Sequence, residues 1–202
     1  IVHNGIVENS TELKEEVNAN FISDTDSEII LHLIESFLDL GLSPIDSVRE
    51  ATKKLDGSYA ILVLFADHPD LIIVTKKRSP LVLGQNKDAC FISSDSYSIS
   101  NHVKEVIYLQ DDDIALVYKN KIEIFDTNKQ IVIRPSTKIC SKISSYKKGQ
   151  FDHYMQKEIF EQPITSKNTL DYYIKNKIFT SAIPDLQIQK VEKIYIIACG
   201  TS

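Results

Sequence analysis

Three short stretches of this chain hold residue types able to handle a polar substrate. In His3-Asn4-Gly5 a side-chain amide stands next to a glycine whose backbone N–H is sterically open. Two such donors can converge on one carbonyl oxygen and stabilise an oxyanion, although Asn-Gly is equally a turn dipeptide. Asp26 sits early in a helical pattern, in Thr25-Asp26-Ser27-Glu28. It either complements the helix dipole, an effect of about 0.3 to 1 kcal/mol, or meets a substrate ammonium group. Cys199-Gly200-Thr201-Ser202 follows an apolar run from Val191 to Ala198. A glycine and small hydroxyl residues after a buried strand suit a phosphate cradle, or an ordinary strand-ending turn.

The histidines add no metal chemistry: His32 falls on a helix, His68 and His102 in turns, and no pair has ligand spacing. Cys90, Cys140 and Cys199 are odd in number and lack CxxC spacing, which is read as reduced thiols.

The elements that must position these residues follow from periodicity. Ile1 to Gly5 is read as a strand entering an Asn4-Gly5 turn, and Asn9-Ser10-Thr11-Glu12 opens a short helix with Leu13 and Val17 inward. Thr25 and Glu28 have capping-box spacing, and Ile29, Ile30, Leu33, Ile34, Phe37 and Leu38 then recur at helical intervals up to Gly41. Ser43-Pro44 starts a third helix with Ile45, Val48, Ala51 and Leu55 inward. Short apolar runs follow at 60–65, 71–74, 81–83, 89–92, 106–109, 114–118 and 122–125, with turns at 67–70, 118–121 and 126–129. Helices followed by many short strands imply an α+β layered domain. The polar, aperiodic stretch 134–152 is read as a linker between a domain at 1–133 and a second beginning at 153. There a helix opens through Tyr154, Met155, Ile159 and Phe160, with Pro163 ending or kinking it, a further helical stretch spans Thr169 to Ile178, and a strand spans Val191 to Ala198.

The 202 residues are 43% hydrophobic and 25% charged, which supports a sizeable core and excludes general disorder. A net charge of −5 with interspersed signs gives no footprint for nucleic acid. No apolar run approaches the roughly 20 residues of a membrane helix. Ile1 in place of an initiator Met, and a stop at Ser202 before any helix that would complete an anion site, are read as cut ends of an internal piece.

Taken in order, the segments His3-Asn4-Gly5-Ile6-Val7-Glu8-Asn9, Ser23 to Glu28, Leu55-Asp56-Gly57-Ser58-Tyr59-Ala60, Ser79-Pro80-Leu81-Val82-Leu83-Gly84, His153 to Pro163 and Ala198-Cys199-Gly200-Thr201-Ser202 resemble the isomerising glutamine–fructose-6-phosphate aminotransferases. The resemblance covers essentially the whole chain and implies the following. Residues 1–133 form the C-terminal part of a glutaminase domain, a partial αββα sandwich of the N-terminal-nucleophile type. Residues 153–202 open a flavodoxin-like α/β sugar isomerase domain. Glutamine supplies ammonia that is passed to fructose 6-phosphate, giving glucosamine 6-phosphate and glutamate, with no metal or organic cofactor, in a cytoplasmic homodimer. On matched positions Asn4 and Gly5 look like the oxyanion-hole pair and Asp26 like the holder of the glutamine α-amino group. Thr201 and Ser202, with Cys199 beside them, look like the start of the sugar-phosphate site.

The departures carry equal weight. The family's nucleophile is an N-terminal cysteine whose own amino group acts as base. This chain begins at Ile1, and neither Cys90 nor Cys140 lies in a matching segment. The stretch between Glu16 and Phe21 is a few residues shorter than the family pattern. The expectation is a chain without glutaminase or synthase activity of its own. Two rivals are a non-catalytic sugar-phosphate-binding regulator, which would need no glutaminase pocket, and a degenerate gene product. The flanking coding sequence discriminates among them.

Overall fold

The computed structural model describes residues 1–17, 19–139, 148–175, 178–179 and 192–193. They fall into two compact units, 1–141 and 142–202.

The first unit is built on a six-stranded antiparallel sheet, sheet A. Its strands are β1 (Val2–Val7), β2 (Gly57–Phe65), β3 (His68–Lys77), β7 (Ile114–Tyr118), β8 (Lys121–Phe125) and β9 (Ile131–Val132), in that spatial order. Side chains alternate between the faces of a strand, and β2 divides its apolar run accordingly. Tyr59, Ile61 and Val63 face a core shared with helices α2 (Asp26–Asp39) and α3 (Pro44–Lys54), joined by Val7, Ile73 and Ile114. Ala60 belongs to a second core with Val74, Ala115 and Val117, closed from the other side by Leu81, Leu83 and Leu109. Those last residues belong to or flank a four-stranded sheet B, ordered β10 (Ser136–Lys138), β6 (Glu105–Tyr108), β4 (Val82–Gln85), β5 (Cys90–Ser93).

The far face of sheet B carries Val82 and Val106, covered by Ile99 from the turns at 96–102 and by Val103 just after them. The layers are therefore helices, sheet A, sheet B. Among the described residues of this unit a segment of turns stands where an αββα sandwich would carry its second helical layer.

The helices form where periodicity predicts. In α2 the buried residues are Ile29, Ile30, Leu33 and Ile34, each contributing about 1.5 to 3 kcal/mol of burial. In α3 the Ser43 hydroxyl caps by accepting from the Asp46 amide, ahead of Pro44 at the first helical position. A short α1 (Ser10–Glu16) buries Leu13.

Six local expectations are corrected. The chain does not turn at Asn4-Gly5: β1 continues to Val7, pairing Gly5 with Tyr59 and Val7 with Gly57. The Thr25–Glu28 capping box does not form, because the Glu28 carboxylate instead accepts from the amides of Ile22 and Ser23, both at 2.7 Å. The turn after β2 is only Ala66-Asp67, so Pro69 lies in the exposed start of β3. The stretch read as linker opens inside the fold, since Arg134 grips Asp113 and residues 136–138 pair with β6. Pro163 does not end its helix: α4 runs from Tyr154 to Tyr173 with the proline inside it. Beyond it, the expected helix to Ile178 is replaced by a two-residue pair, β11 (Ile174–Lys175) with β12 (Ile178–Phe179).

Candidate functional site

β1 is the terminal strand of sheet A, and its pairing fixes which way its amides point. In an antiparallel ladder, hydrogen-bonded and non-bonded pairs alternate. The Glu8 amide donates to the Asp56 carbonyl at 2.8 Å, so Ile6 and Asn4 form bonded pairs while Val7 and Gly5 do not. The N–H groups of Gly5 and Val7 therefore point to the open edge, away from β2. Val7 confirms this by donating to Asp26 Oδ2 at 2.9 Å.

The sequence-predicted residues converge on that edge. Gly5 has φ of +137°, and a Cβ there would lie 2.0 Å from the Ser58 carbonyl oxygen. Only glycine fits a backbone so close to its neighbour. Asn4 is exposed on the face toward sheet B, where its Nδ2 makes a long 3.4 Å contact with Ser94 Oγ. Asp26, 27% exposed, hangs on the Val7 amide two residues along the strand from Gly5. That spacing corresponds to roughly 7 Å. A donor N–H and a partly open carboxylate thus line the same strand edge. Cys199, Thr201 and Ser202 lie outside the described residues.

Sequence reasoning assigned no role to His3, which the structure draws in. Its Nδ1 shares a 3.0 Å hydrogen bond with Ser27 Oγ and lies 3.5 Å from Asp26 Oδ1, while its side chain is only 2% exposed. Burial holds the imidazole below its ordinary pKa of 6.5, with the Asp26 charge pulling the other way. Neutral His3 is thus a wedge between β1 and the start of α2. Strand alternation offered a signal, since His3 shares the helix-side face with Val7.

The loop before α2 is fixed by Glu28. The Ser23 hydroxyl and the Ile22 amide hold its carboxyl down to about 2. The described cysteine, Cys90, pairs with Gln85 in sheet B, and burial raises its thiol pKa. That is the opposite of nucleophile activation. Among the described residues no cluster of three metal-ligating side chains occurs, and no helix is long and apolar enough to cross a membrane.

A family model for a glutamine amidotransferase domain matches residues 1–101. The chain belongs to that family. Along its whole length it is also homologous to enzymes named glutamine–fructose-6-phosphate aminotransferase (isomerizing). With the one from Zymomonas mobilis it shares 34% identity over 207 residues, covering 100% of this chain and 34% of that protein. With the one from Buchnera aphidicola subsp. Baizongia pistaciae it shares 40% over 211 residues, covering 100% and 35%. The chain thus spans about a third of the length of the curated relatives it matches. The glutamine phosphoribosylpyrophosphate amidotransferase of B. subtilis, complexed with ADP and GMP, aligns with 70% of this chain and 29% of its own at 21% identity and a TM-score of 0.46.

Proposed function

We propose that this chain is the glutamine-binding wall and domain junction of an isomerising glutamine–fructose-6-phosphate aminotransferase. In this reading the Asp26 carboxylate receives the α-ammonium of glutamine. Gly5 N–H and Asn4 Nδ2 receive the carboxamide oxygen as it gains negative charge. Each such donor contributes roughly 3 to 4 kcal/mol to a transition state, but only once a nucleophile has attacked. No described residue supplies that nucleophile at the β1 edge. The chain by itself therefore binds glutamine without hydrolysing it.

Residues 1–133 are assigned to the glutaminase part, 134–152 to the junction, and 153–202 to the opening of a sugar isomerase domain. There Cys199, Thr201 and Ser202 begin a site for the phosphate of fructose 6-phosphate. The parent enzyme is read as a cytoplasmic homodimer that uses no cofactor.

One observation supports the glutamine site above all: the Asp26 carboxylate is anchored by the outward N–H of Val7, on the strand edge where Gly5 presents its own. The test is an amide-resolved titration of the 202-residue chain with L-glutamine. Saturable shifts of Gly5 and Val7, lost in Asp26→Asn, are expected, with no glutamate released. Glutamate release, or shifts unchanged in Asp26→Asn, would overturn the reading.

A further inference from the structure

The two oxygens of Asp26 have different neighbours. Oδ2 accepts from the Val7 amide at 2.9 Å, while Oδ1 lies 3.5 Å from His3 Nδ1. The His3 side chain is 2% exposed and that of Asp26 27%. A ligand from solvent can therefore meet the carboxylate but not the ring behind it. Two observations fix which ring nitrogen carries the proton of neutral His3. Nε2 is buried and has no hydrogen-bond partner among the described residues, and orphaned buried donors are rarer than under-satisfied acceptors. Nδ1 faces two oxygens, Ser27 Oγ at 3.0 Å and Asp26 Oδ1. A proton on Nδ1 points a donor at both, whereas a proton on Nε2 would turn the Nδ1 lone pair toward the carboxylate. The neutral ring is thus the Nδ1–H tautomer, with its donor end on the Asp26 side.

The charge on that ring decides what Asp26 can do. A neutral Nδ1–H steadies Oδ1 and leaves the carboxylate its full negative charge. An imidazolium at the same place would be a cation 3.5 Å from Oδ1, an internal ion pair. The surroundings leave Asp26 as the partner that matters. On α2, Glu28 accepts from the amides of Ile22 and Ser23, and His32 is bonded to Glu35. On β2, Ile61 stands opposite His3. Tyr59, diagonal to it, stays a neutral phenol, since burial raises its pKa and its hydroxyl donates to the Thr52 carbonyl. Burial also disfavours the charged form of His3 itself, which keeps Asp26 unpaired near neutral pH.

We infer that His3 is a positioning residue for the Asp26 carboxylate: as the neutral Nδ1–H tautomer it holds Oδ1 ready for the α-ammonium of an amino acid, and as imidazolium it competes with that ammonium. The inference rests on the glutamine reading and adds a proton that the ligand must exclude.

The test begins with the unaltered 202-residue chain. Its ring-nitrogen spectrum at pH 7.5 is expected to show His3 as the Nδ1–H tautomer. The ring is then titrated alone, with saturating L-glutamine, and with 4-carbamoylbutanoate, which lacks only the amino group. Glutamine is expected to lower the ring pKa by about one unit and 4-carbamoylbutanoate to leave it unmoved. By linkage the glutamine Kd then rises on acidification by up to about tenfold. His3→Gln keeps a donor but cannot titrate. It is expected to bind glutamine within about threefold of the parent at pH 7.5 and to lose the acid-side rise, whereas His3→Ala binds about tenfold more weakly. An Nε2–H tautomer, a ring pKa unmoved by bound glutamine, or the same acid-side rise in His3→Gln overturns this inference alone. Absence of glutamine binding at pH 7.5 overturns the glutamine reading and this inference with it.

Discussion

Asp26 and Asp113 are both carboxylates that accept from a backbone amide in the first unit, yet their surroundings differ at every other contact. Asp113 is 1% exposed, and both of its oxygens are taken: Oδ2 accepts from the Gln110 amide and Arg134 Nε, and Oδ1 from Arg134 Nη2. Asp26 gives one oxygen to Val7, holds the other 3.5 Å from His3, and keeps 27% of its side chain open. The first arrangement joins the start of β7 to the segment after β9. The second uses the fold to aim a charge outward. A carboxylate whose acceptors are all filled can only hold structure, whereas one anchored at a single oxygen can still meet a ligand.

The largest expected effect tests the filled end of that contrast. Asp113→Ala leaves the Arg134 guanidinium, 18% exposed, without its bidentate partner. Removing one member of a buried pair costs about 3 to 5 kcal/mol. Urea denaturation of the variant is expected to show a loss of that size, with β10 losing amide protection as its tether goes. A loss under about 1 kcal/mol would place the pair with ordinary surface ion pairs and erase the contrast.

Next in size is Gly5→Ala at the open end. The φ of +137° and the close Ser58 carbonyl leave no room for a methyl group. Backbone strain of this kind costs about 1 to 3 kcal/mol, so β1 is expected to loosen from β2 first. Hydrogen exchange would report it as lost protection confined to β1 and its partner. Unchanged protection there would mean that the edge tolerates a side chain and that its glycine has no structural basis.

How much of this was legible in the sequence differs between local and non-local features. Helices α2 and α3 and the β7–β8 hairpin were readable because apolar spacing and turn residues settle them within a dozen positions. The path of β1 was not, because Asn4-Gly5 favours a turn in isolation. Only pairing with β2, 54 residues on at Gly5 and Tyr59, keeps it extended. The capping box failed for a similar reason: Glu28 found two better-placed amides in the preceding loop. Residues 136–138 are exposed Ser-Thr-Lys with no apolar pattern, so nothing but the β6 ladder marks them as strand. Continuity of α4 through Pro163 was equally hidden. It keeps helical form with no buried residue, and Met155 and Phe160 stand 72% and 64% exposed. At the candidate site Asn4, Gly5 and Asp26 were nameable from residue type and family resemblance. The His3–Ser27 contact was not, since it exists only where β1 passes the start of α2.

Asp26→Asn separates holding from binding more finely. The asparagine oxygen can still accept from the Val7 amide, so the stability change is expected to stay within about 0.5 to 1 kcal/mol. Glutamine affinity is expected to fall about tenfold or more through loss of the charge-assisted contact. A large stability loss with little change in affinity would make Asp26 a second Asp113.

The smallest effect concerns His3, and its sign follows from the direction of its shift. Burial lowers the folded-state pKa below the ordinary 6.5. Between the lowered value and 6.5 the unfolded chain therefore binds more protons than the folded one. Stability then rises with pH across that window and is lost as pH falls below about 6.5, with a limiting slope of about 1.4 kcal/mol per unit for one full proton. Glu28, held down to about 2, acts only lower, between its ordinary 4.5 and that value, so the two contributions separate on the pH axis. His3→Gln removes the titrating ring. Its stability measured at pH 7.5 and 5.5 is expected to fall less on acidification than that of the parent chain. An equal fall in both, or a His3 ring titrating at or above 6.5, would mean that the wedge between β1 and α2 is wet. Asp26 would then lose the buried neutral neighbour that distinguishes its surroundings from those of Asp113.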